Sequence, residues 1–284
     1  MASRYPALLA ASLALTTSLV GCPGAPPPPP RPPIVVAPPK TPPPEPRADG
    51  RLPPLAIPTR YALELDVDPG TSGFGGVVRI DVDVPEPTSY VVLHAHALQI
   101  TSARADVGAK VTIPAQVTTR LARGGRTPEE LVVDLARPLP AGRATIVLEY
   151  KAAFDPSLAG LYRLKDGDLW YAFSQFEPTD ARRAFPCFDE PAFKVPFDVS
   201  VTVPSSMIAI ANAPEVAREP VAGPGAPRTR FRFAPTPPLP TYLVALAVGE
   251  LEVKEATRFT RPPIRMITTK GKASAGSPGG QGMT

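Results

Sequence analysis

Histidine and cysteine are scarce in this chain of 284 residues, which contains two of each. Cys22 and Cys187 lie far apart, and because Cys22 has a separate use described below, we expect no disulfide in the folded part. No extended stretch repeats its apolar residues at the helical period of 3.6, which argues against a helical protein. Lysine and arginine are scattered and form no basic stripe, so the net charge of +4 does not indicate nucleic-acid binding.

Proline is the residue in excess: the chain has 42, many of them between residues 23 and 54. Proline fixes φ and lacks an amide proton, so such a segment forms neither a helix nor a central strand and favours the polyproline II conformation. We interpret residues 22–56 as a semi-rigid tether. The alternative is a docking site for a domain that binds Pro-x-x-Pro motifs.

The first 21 residues have the pattern of an export signal. An apolar run over residues 7–20 follows a basic residue and is too short for a comfortable transmembrane helix. It ends in Leu-Val-Gly-Cys, which resembles the bacterial lipobox, with Cys22 as the cysteine. The resemblance implies cleavage before Cys22, lipidation of its thiol and attachment to a bacterial membrane in the cell envelope. The alternative is an ordinary signal peptide followed by a chance cysteine.

From residue 60 onward, apolar and polar residues alternate with a period of two, and glycine or proline clusters separate the alternating runs. This pattern predicts an all-β domain over residues 57–256, an antiparallel β-sandwich or saddle, followed by a linker and low-complexity C-terminus over residues 257–284. The predicted strands cover residues 61–67, 76–84, 90–94, 98–103, 111–113, 130–135, 144–150, 169–173, 197–203, 207–212, 228–233 and 242–248.

His94 and His96 are the only histidines of the chain. Two residues apart on a strand, they would project to the same face, and we interpret them as exposed strand residues. A metal site is the alternative, although the sequence offers no third ligand nearby.

Residues 174–191 hold the densest group of functional side chains. The strand over residues 169–173 runs into this segment, where Pro178 and acidic neighbours favour a short helix that Pro186 ends. Alternation projects Gln175 and Glu177 to one face. The carboxylate can hold a cationic group through charge-assisted hydrogen bonds, and the amide offers both donors and an acceptor.

A purely structural interpretation of the same segment stays open. Glu177 could pair with Arg182 or Arg183. The Asp-Glu-Pro sequence at residues 189–191 could form a capped turn, and Cys187 could be a small buried residue.

Residues 174–177, Ser-Gln-Phe-Glu, and residues 181–191, Ala-Arg-Arg-Ala-Phe-Pro-Cys-Phe-Asp-Glu-Pro, resemble the N-terminal domain of the aminopeptidase N family of zinc metallopeptidases, the gluzincins. Shorter matches extend the resemblance to about residues 57–270. It implies a β-saddle that packs against a catalytic domain. It also implies that Glu177 binds the free α-amino group of a peptide substrate and that Gln175 contacts the N-terminal residue. Ser174 departs mildly from the family's threonine.

The catalytic motifs of that family are absent from these 284 residues, which contain no His-Glu-x-x-His and no Gly-Ala-Met-Glu-Asn. We therefore expect that this chain has no catalytic residue and binds no cofactor, and that zinc belongs to a downstream catalytic domain. The expected function is substrate recognition for a membrane-anchored aminopeptidase, without activity of the chain alone. The alternative is a freestanding, non-catalytic lipoprotein module.

Overall fold

A computed structural model describes residues 41–260 and 263–272, without the side chains of residues 128, 255–260, 263 and 264. The predicted signal over residues 1–21, Cys22, most of the tether and residues 273–284 lie outside the described residues. Within the described part, sixteen strands and two single turns of 3₁₀ helix make up the regular structure, which confirms the all-β prediction. No helix in that part is long and apolar enough to cross a membrane.

The largest sheet has ten strands. They are β1 (Ile57–Val67), β2 (Gly73–Val84), β3 (Thr88–His94), β4 (Gln99–Val107), β5 (Val111–Leu121), β6 (Pro128–Leu139), β7 (Gly142–Ala153), β10 (Phe197–Pro204), β12 (Glu215–Val221) and β13 (Arg228–Phe233). Their order is β12-β13-β10-β1-β2-β7-β4-β5-β6-β3. Neighbours are antiparallel except β1 and β10, which pair in parallel, so the prediction of antiparallel sheets holds for all but this pair.

Alternation along β1 and β2 gives the sheet its apolar face. Tyr61, Leu63 and Leu65 of β1 are buried, as are Val78 and Ile80 of β2. Burying such a side chain contributes roughly 1.5–3 kcal/mol relative to leaving it exposed. The inward face predicted from the period of two is therefore the face that forms the core.

Strand β5 changes partners along its length. Its first part, up to Pro114, pairs with β4, and from Ala115 onward it pairs with β6. Strand β3, at the end of the sheet beyond β6, is buried at all of residues 90–94. Through this change of partners, β5 connects β4 on one side with β6 and β3 on the other.

A second sheet of four strands carries residues 174 and 175. It contains β8 (Gly160–Asp166), β9 (Leu169–Gln175), β11 (Ile208–Ala211) and β14 (Leu246–Gly249), in the order β11-β14-β9-β8. Strands β8 and β9 form a hairpin, in which the sequence analysis predicted only β9. A ribbon of β15 (Leu251–Thr260) and β16 (Pro263–Thr269) follows.

The strand predicted over residues 242–248 is wrong in its first half. Thr241–Leu243 form a 3₁₀ turn, and the strand begins at Leu246. The side chain of Asn212 explains the difference, because Nδ2 donates to the Leu243 carbonyl and Oδ1 accepts from the Ala245 amide, both at 2.8 Å. These backbone groups are satisfied by a side chain and need no neighbouring strand.

The end of the segment interpreted as a tether packs on the β domain. Nη1 of Arg120 donates to the Pro44 carbonyl at 2.6 Å, and the Leu52 amide donates to Oε1 of Glu190 at 2.7 Å. The side chains of Leu52 and Ala56 are buried in the core. Hydrogen bonds and burial therefore hold the last dozen residues of the tether, just before β1, against the β domain.

Candidate functional site

Gln175 and Glu177 project into solvent on either side of a buried aromatic residue. Gln175 is the last residue of β9 and pairs with Gly160 of β8. Both polar residues are exposed, whereas Phe176 between them is 2% exposed and meets the ring of Phe185 edge-on, with the centroids 5.9 Å apart. The core thus anchors the backbone from which the two polar side chains extend.

The loop after Phe176 closes on itself. The Asp180 amide donates to the Phe176 carbonyl at 2.8 Å, and one 3₁₀ turn over Ala181–Arg183 follows. The predicted helix is therefore a single turn, too short to supply a helix dipole. Pro186, which cannot continue a helix, lies three residues beyond it.

Arg182 is engaged by acidic residues other than Glu177. Its Nη1 donates to Oε2 of Glu129 and its Nε to Oδ2 of Asp189, both at 2.9 Å. Its side chain is 11% exposed, so these contacts hold its charge inside the domain.

Arg183 is also paired with other acids. Its Nε donates to Oδ1 of Asp180 at 2.7 Å and its Nη1 to Oδ2 of Asp155 at 2.8 Å. Across residues 41–260 and 263–272, Glu177 forms no ion pair and no side-chain hydrogen bond. The predicted alternative, in which Glu177 pairs with Arg182 or Arg183, is therefore wrong, and its negative charge is not compensated within the described part of the chain.

The Asp-Glu-Pro sequence fixes the backbone, as the structural interpretation proposed. The Asp189 carboxylate accepts from Oγ1 of Thr241 at 2.5 Å as well as from Arg182, and Glu190 accepts from the Leu52 amide. Cys187 is free, fully buried and joined to His94 by two backbone hydrogen bonds. Burial raises the pKa of its thiol, so Cys187 is a packing residue rather than a nucleophile.

Two depressions on the surface of the domain differ in whether residues of the segment 174–191 line them. A groove of about 680 Å³ lies on the ten-stranded sheet, where Gly73 and Gly75 supply no side chain, and its lining includes no residue of 174–191. A shallower one of about 250 Å³ lies on the four-stranded sheet, lined by Tyr162, Phe173 and Ser174 among others. Although smaller, the second depression is the one that adjoins the candidate site, because its lining residue Ser174 directly precedes Gln175.

Residues 57–243 match the peptidase M1 N-terminal domain. The chain belongs to the peptidase M1 family. It is 36% identical over 240 residues to aminopeptidase M1-A of Oryza sativa subsp. japonica, and 34% identical over 222 residues to human endoplasmic reticulum aminopeptidase 1. These matches cover 81% and 76% of this chain but 26% and 23% of the relatives. The chain thus spans about a quarter of the length of these relatives.

The histidines of this M1 domain are not exposed partners on a strand, which corrects their predicted placement. Strand β3 ends at His94, which is 2% exposed, and His96 lies beyond it in a bend. Burial and the positive charge of Arg182 lower the pKa of His94 to about 3. Nδ1 of His94 accepts from the Asp189 amide at 3.1 Å, and the His96 amide donates to the Arg182 carbonyl.

Zinc, which the family resemblance implies for a catalytic domain, does not fit the residues of this M1 domain. Nδ1 of His94 is occupied by a backbone amide, and the described ranges hold no group of three or more ligating side chains in position for a metal ion. A zinc site built from proteins' usual nitrogen, sulfur and oxygen ligands takes three or four of them.

Asp155 is a residue at this site that the sequence analysis missed. It lies 28 positions before Arg183, its ion-pair partner. A contact between residues so far apart leaves no local pattern, and only the hairpin of β8 and β9 brings them together.

Proposed function

We propose that this M1 N-terminal domain recognises the free N-terminus of a peptide on behalf of an aminopeptidase of which it is one part. In this proposal Glu177 binds the α-ammonium group and Gln175 contacts the N-terminal residue. We further propose that a lipid on Cys22 holds the protein at a bacterial membrane. No step of peptide-bond hydrolysis is assigned to the residues that the structure describes, since they do not fit a zinc site.

The uncompensated charge of Glu177 carries the proposal. Besides Glu177, the segment 174–191 contains five charged side chains, of which Arg182 and Arg183 are the basic ones. Both are held by other acids: Arg182 by Glu129 and Asp189, and Arg183 by Asp180 and Asp155. Glu177 is therefore free to accept hydrogen bonds from a cation. A charge-assisted hydrogen bond to this carboxylate favours an ammonium group over a neutral amide, although its exposure to solvent reduces the energy of the contact.

Gln175 and the depression beside it suit the N-terminal residue of a peptide, which carries the ammonium group. The Gln175 amide offers two donors and an acceptor to a peptide backbone. Phe173 and Tyr162 lie opposite each other in the hairpin, two positions before Gln175 and two after Gly160, and they line the shallow depression. Apolar side chains of a peptide can pack there.

Nuclear magnetic resonance of the mature chain tests the proposal, because it detects weak binding residue by residue. Titration with trialanine should shift the side-chain amide of Gln175 and the backbone amides of residues 175–177. N-acetyl-trialanine, which lacks the ammonium group, should leave them unchanged. The Glu177→Gln variant should lose most of the response, because a neutral amide gains little from a cation.

Asp168→Asn is the matched control, because Asp168 is a fully exposed acid in the turn of the same hairpin. It should bind trialanine like the wild type. Equal shifts with the free and the acetylated peptide would rule out recognition of the amino group. Equal binding by Glu177→Gln and the wild type would remove Glu177 from the site.

A further inference from the structure

Arg183 joins two loops at the end of the β8–β9 hairpin. One loop, residues 176–180, carries Glu177; the other, residues 155–159, leads into β8. The guanidinium of Arg183 spans them, with Nε on Asp180 of the first loop and Nη1 on Asp155 of the second. The three side chains are between 12% and 29% exposed, so the bridge lies partly within the domain.

Asp155, the partner of Arg183 in the second loop, is itself held by hydrogen bonds. Oδ1 of Asp155 accepts from the amide of Ser157 at 2.7 Å and from its hydroxyl at 2.5 Å, which leaves Oδ2 for Arg183. The Asp155 amide donates to the Leu161 carbonyl at 3.0 Å. Burial acts to raise the pKa of Asp155, but the hydrogen bonds from Ser157 and Arg183 outweigh it and lower the pKa. Ser157 thus orients the Asp155 carboxylate, and Ser157 and Arg183 together favour its charged form.

Gly160 shows how closely the two loops approach. It pairs with Gln175 and has a φ of +61°, in the left-handed region that favours glycine. A Cβ at this position would lie 2.6 Å from Cβ of Arg183. A side chain there would push Arg183 away, so the absence of one permits the bridge.

We propose that Arg183 is a positioning residue, which holds the Gln175–Glu177 segment in the geometry that receives a peptide N-terminus. The inference rests on the proposed function and deepens it. Strand β8 is at the edge of its sheet, so among the residues that the structure describes no further strand supports its loop from outside. Ordering a loop before the ligand arrives removes part of the entropic cost of binding.

The sign of the effect separates positioning from simple electrostatics. Arg183 is a positive charge close to a site for a cation. If charge alone mattered, Arg183→Met would strengthen the binding of an ammonium group, because it removes a repulsion. If Arg183 positions the site, the same variant weakens binding.

The test compares trialanine affinity by nuclear magnetic resonance for the wild-type mature chain, Arg183→Met and Arg183→Lys. We expect Arg183→Met to raise the dissociation constant roughly five- to tenfold through lost pre-organisation. Arg183→Lys keeps the charge but cannot bridge two carboxylates with a planar fork, so it should also weaken binding. Arg218→Met is the control, because Arg218 likewise bonds an acid three residues before it, Glu215, on the distant strand β12.

Amide hydrogen exchange of residues 175–180 in the unliganded chain supplies a second measurement. Faster exchange in Arg183→Met, but not in Arg218→Met, supports the inference. Unchanged or tighter trialanine binding by Arg183→Met overturns it and leaves the proposed function standing. If the wild type binds no trialanine, the proposed function fails, and exchange rates unaltered by Arg183→Met then overturn the positioning role as well.

Discussion

Nε of Arg182 lies 2.9 Å from Oδ2 of Asp189, and the side chain of that aspartate is 1% exposed. The pair joins the beginning and the end of the segment 181–191. Thr241 donates to the other carboxylate oxygen, so Asp189 also links this segment to the 3₁₀ turn before β14. Arg182 and Asp189 therefore tie residues 182–189, which follow the exposed residues Gln175 and Glu177, to the 3₁₀ turn before β14.

Breaking this pair should destabilise the domain strongly. Arg182→Met leaves a buried carboxylate without its cation, and we expect the free energy of unfolding to fall by about 3–5 kcal/mol in urea titrations. Arg218→Met breaks an exposed pair and should cost at most about 1 kcal/mol. Similar losses of unfolding free energy in the two variants would show that the folded chain does not need Arg182 to stabilise the Asp189 carboxylate.

His94 should make the domain sensitive to acid. Its pKa is about 3 in the folded chain and near the ordinary 6.5 when unfolded. Below pH 6.5 the unfolded chain therefore binds a proton that the folded chain does not, so stability falls as the pH drops towards 3, by up to about 1.4 kcal/mol per pH unit. Above pH 6.5 this group adds no pH dependence.

His94→Asn isolates the contribution of His94. The Oδ1 atom of asparagine can accept the Asp189 amide as Nδ1 does, but asparagine does not titrate. Urea unfolding of both proteins between pH 4 and pH 8 should show the variant losing less stability towards acid, a trend expected from linkage. Parallel pH profiles would contradict the assignment of this sensitivity to His94.

Two buried tyrosines should respond oppositely to loss of their hydroxyl groups. The Tyr61 hydroxyl accepts the Phe188 amide at 2.9 Å, whereas the buried Tyr150 hydroxyl has no hydrogen-bond partner within the described residues. Tyr61→Phe should destabilise the domain by about 1–3 kcal/mol, because it leaves the amide unsatisfied. Tyr150→Phe should stabilise it by about 1 kcal/mol, because it removes a buried polar group that lacks a bond. Thermal unfolding of both variants tests the signs, and a destabilised Tyr150→Phe would contradict the second.

Cys22 provides a test of membrane attachment that is independent of the β domain. In a bacterial host, the wild-type precursor should incorporate labelled palmitate and sediment with membranes, since acyl chains anchor proteins through the apolar surface they bury. Cys22→Ala should do neither. Cys187→Ala is the control and should keep the label, because Cys187 is fully buried. Label retained by Cys22→Ala would exclude the proposed anchor.

Sequence periodicity bears on the exposure of the two candidate site residues but not on their role. Alternation around Phe176 predicted that Gln175 and Glu177 share a face, and both are exposed beside a buried Phe176. Alternation could not predict the partners of the neighbouring arginines. Those partners come from other strands and loops, as with Asp155 for Arg183 and Glu129 for Arg182.

The all-β class, the inward faces of β1 and β2 and membership of the M1 family could be predicted from the sequence alone, because periodicity and motifs are local properties of the chain. The burial of His94, the change of partners along β5 and the lack of an ion-pair partner for Glu177 among the described residues became visible only in three dimensions. These features depend on which strands meet. Burial and ion pairing act between residues that are distant in sequence, and their energies are set by the environment the fold creates.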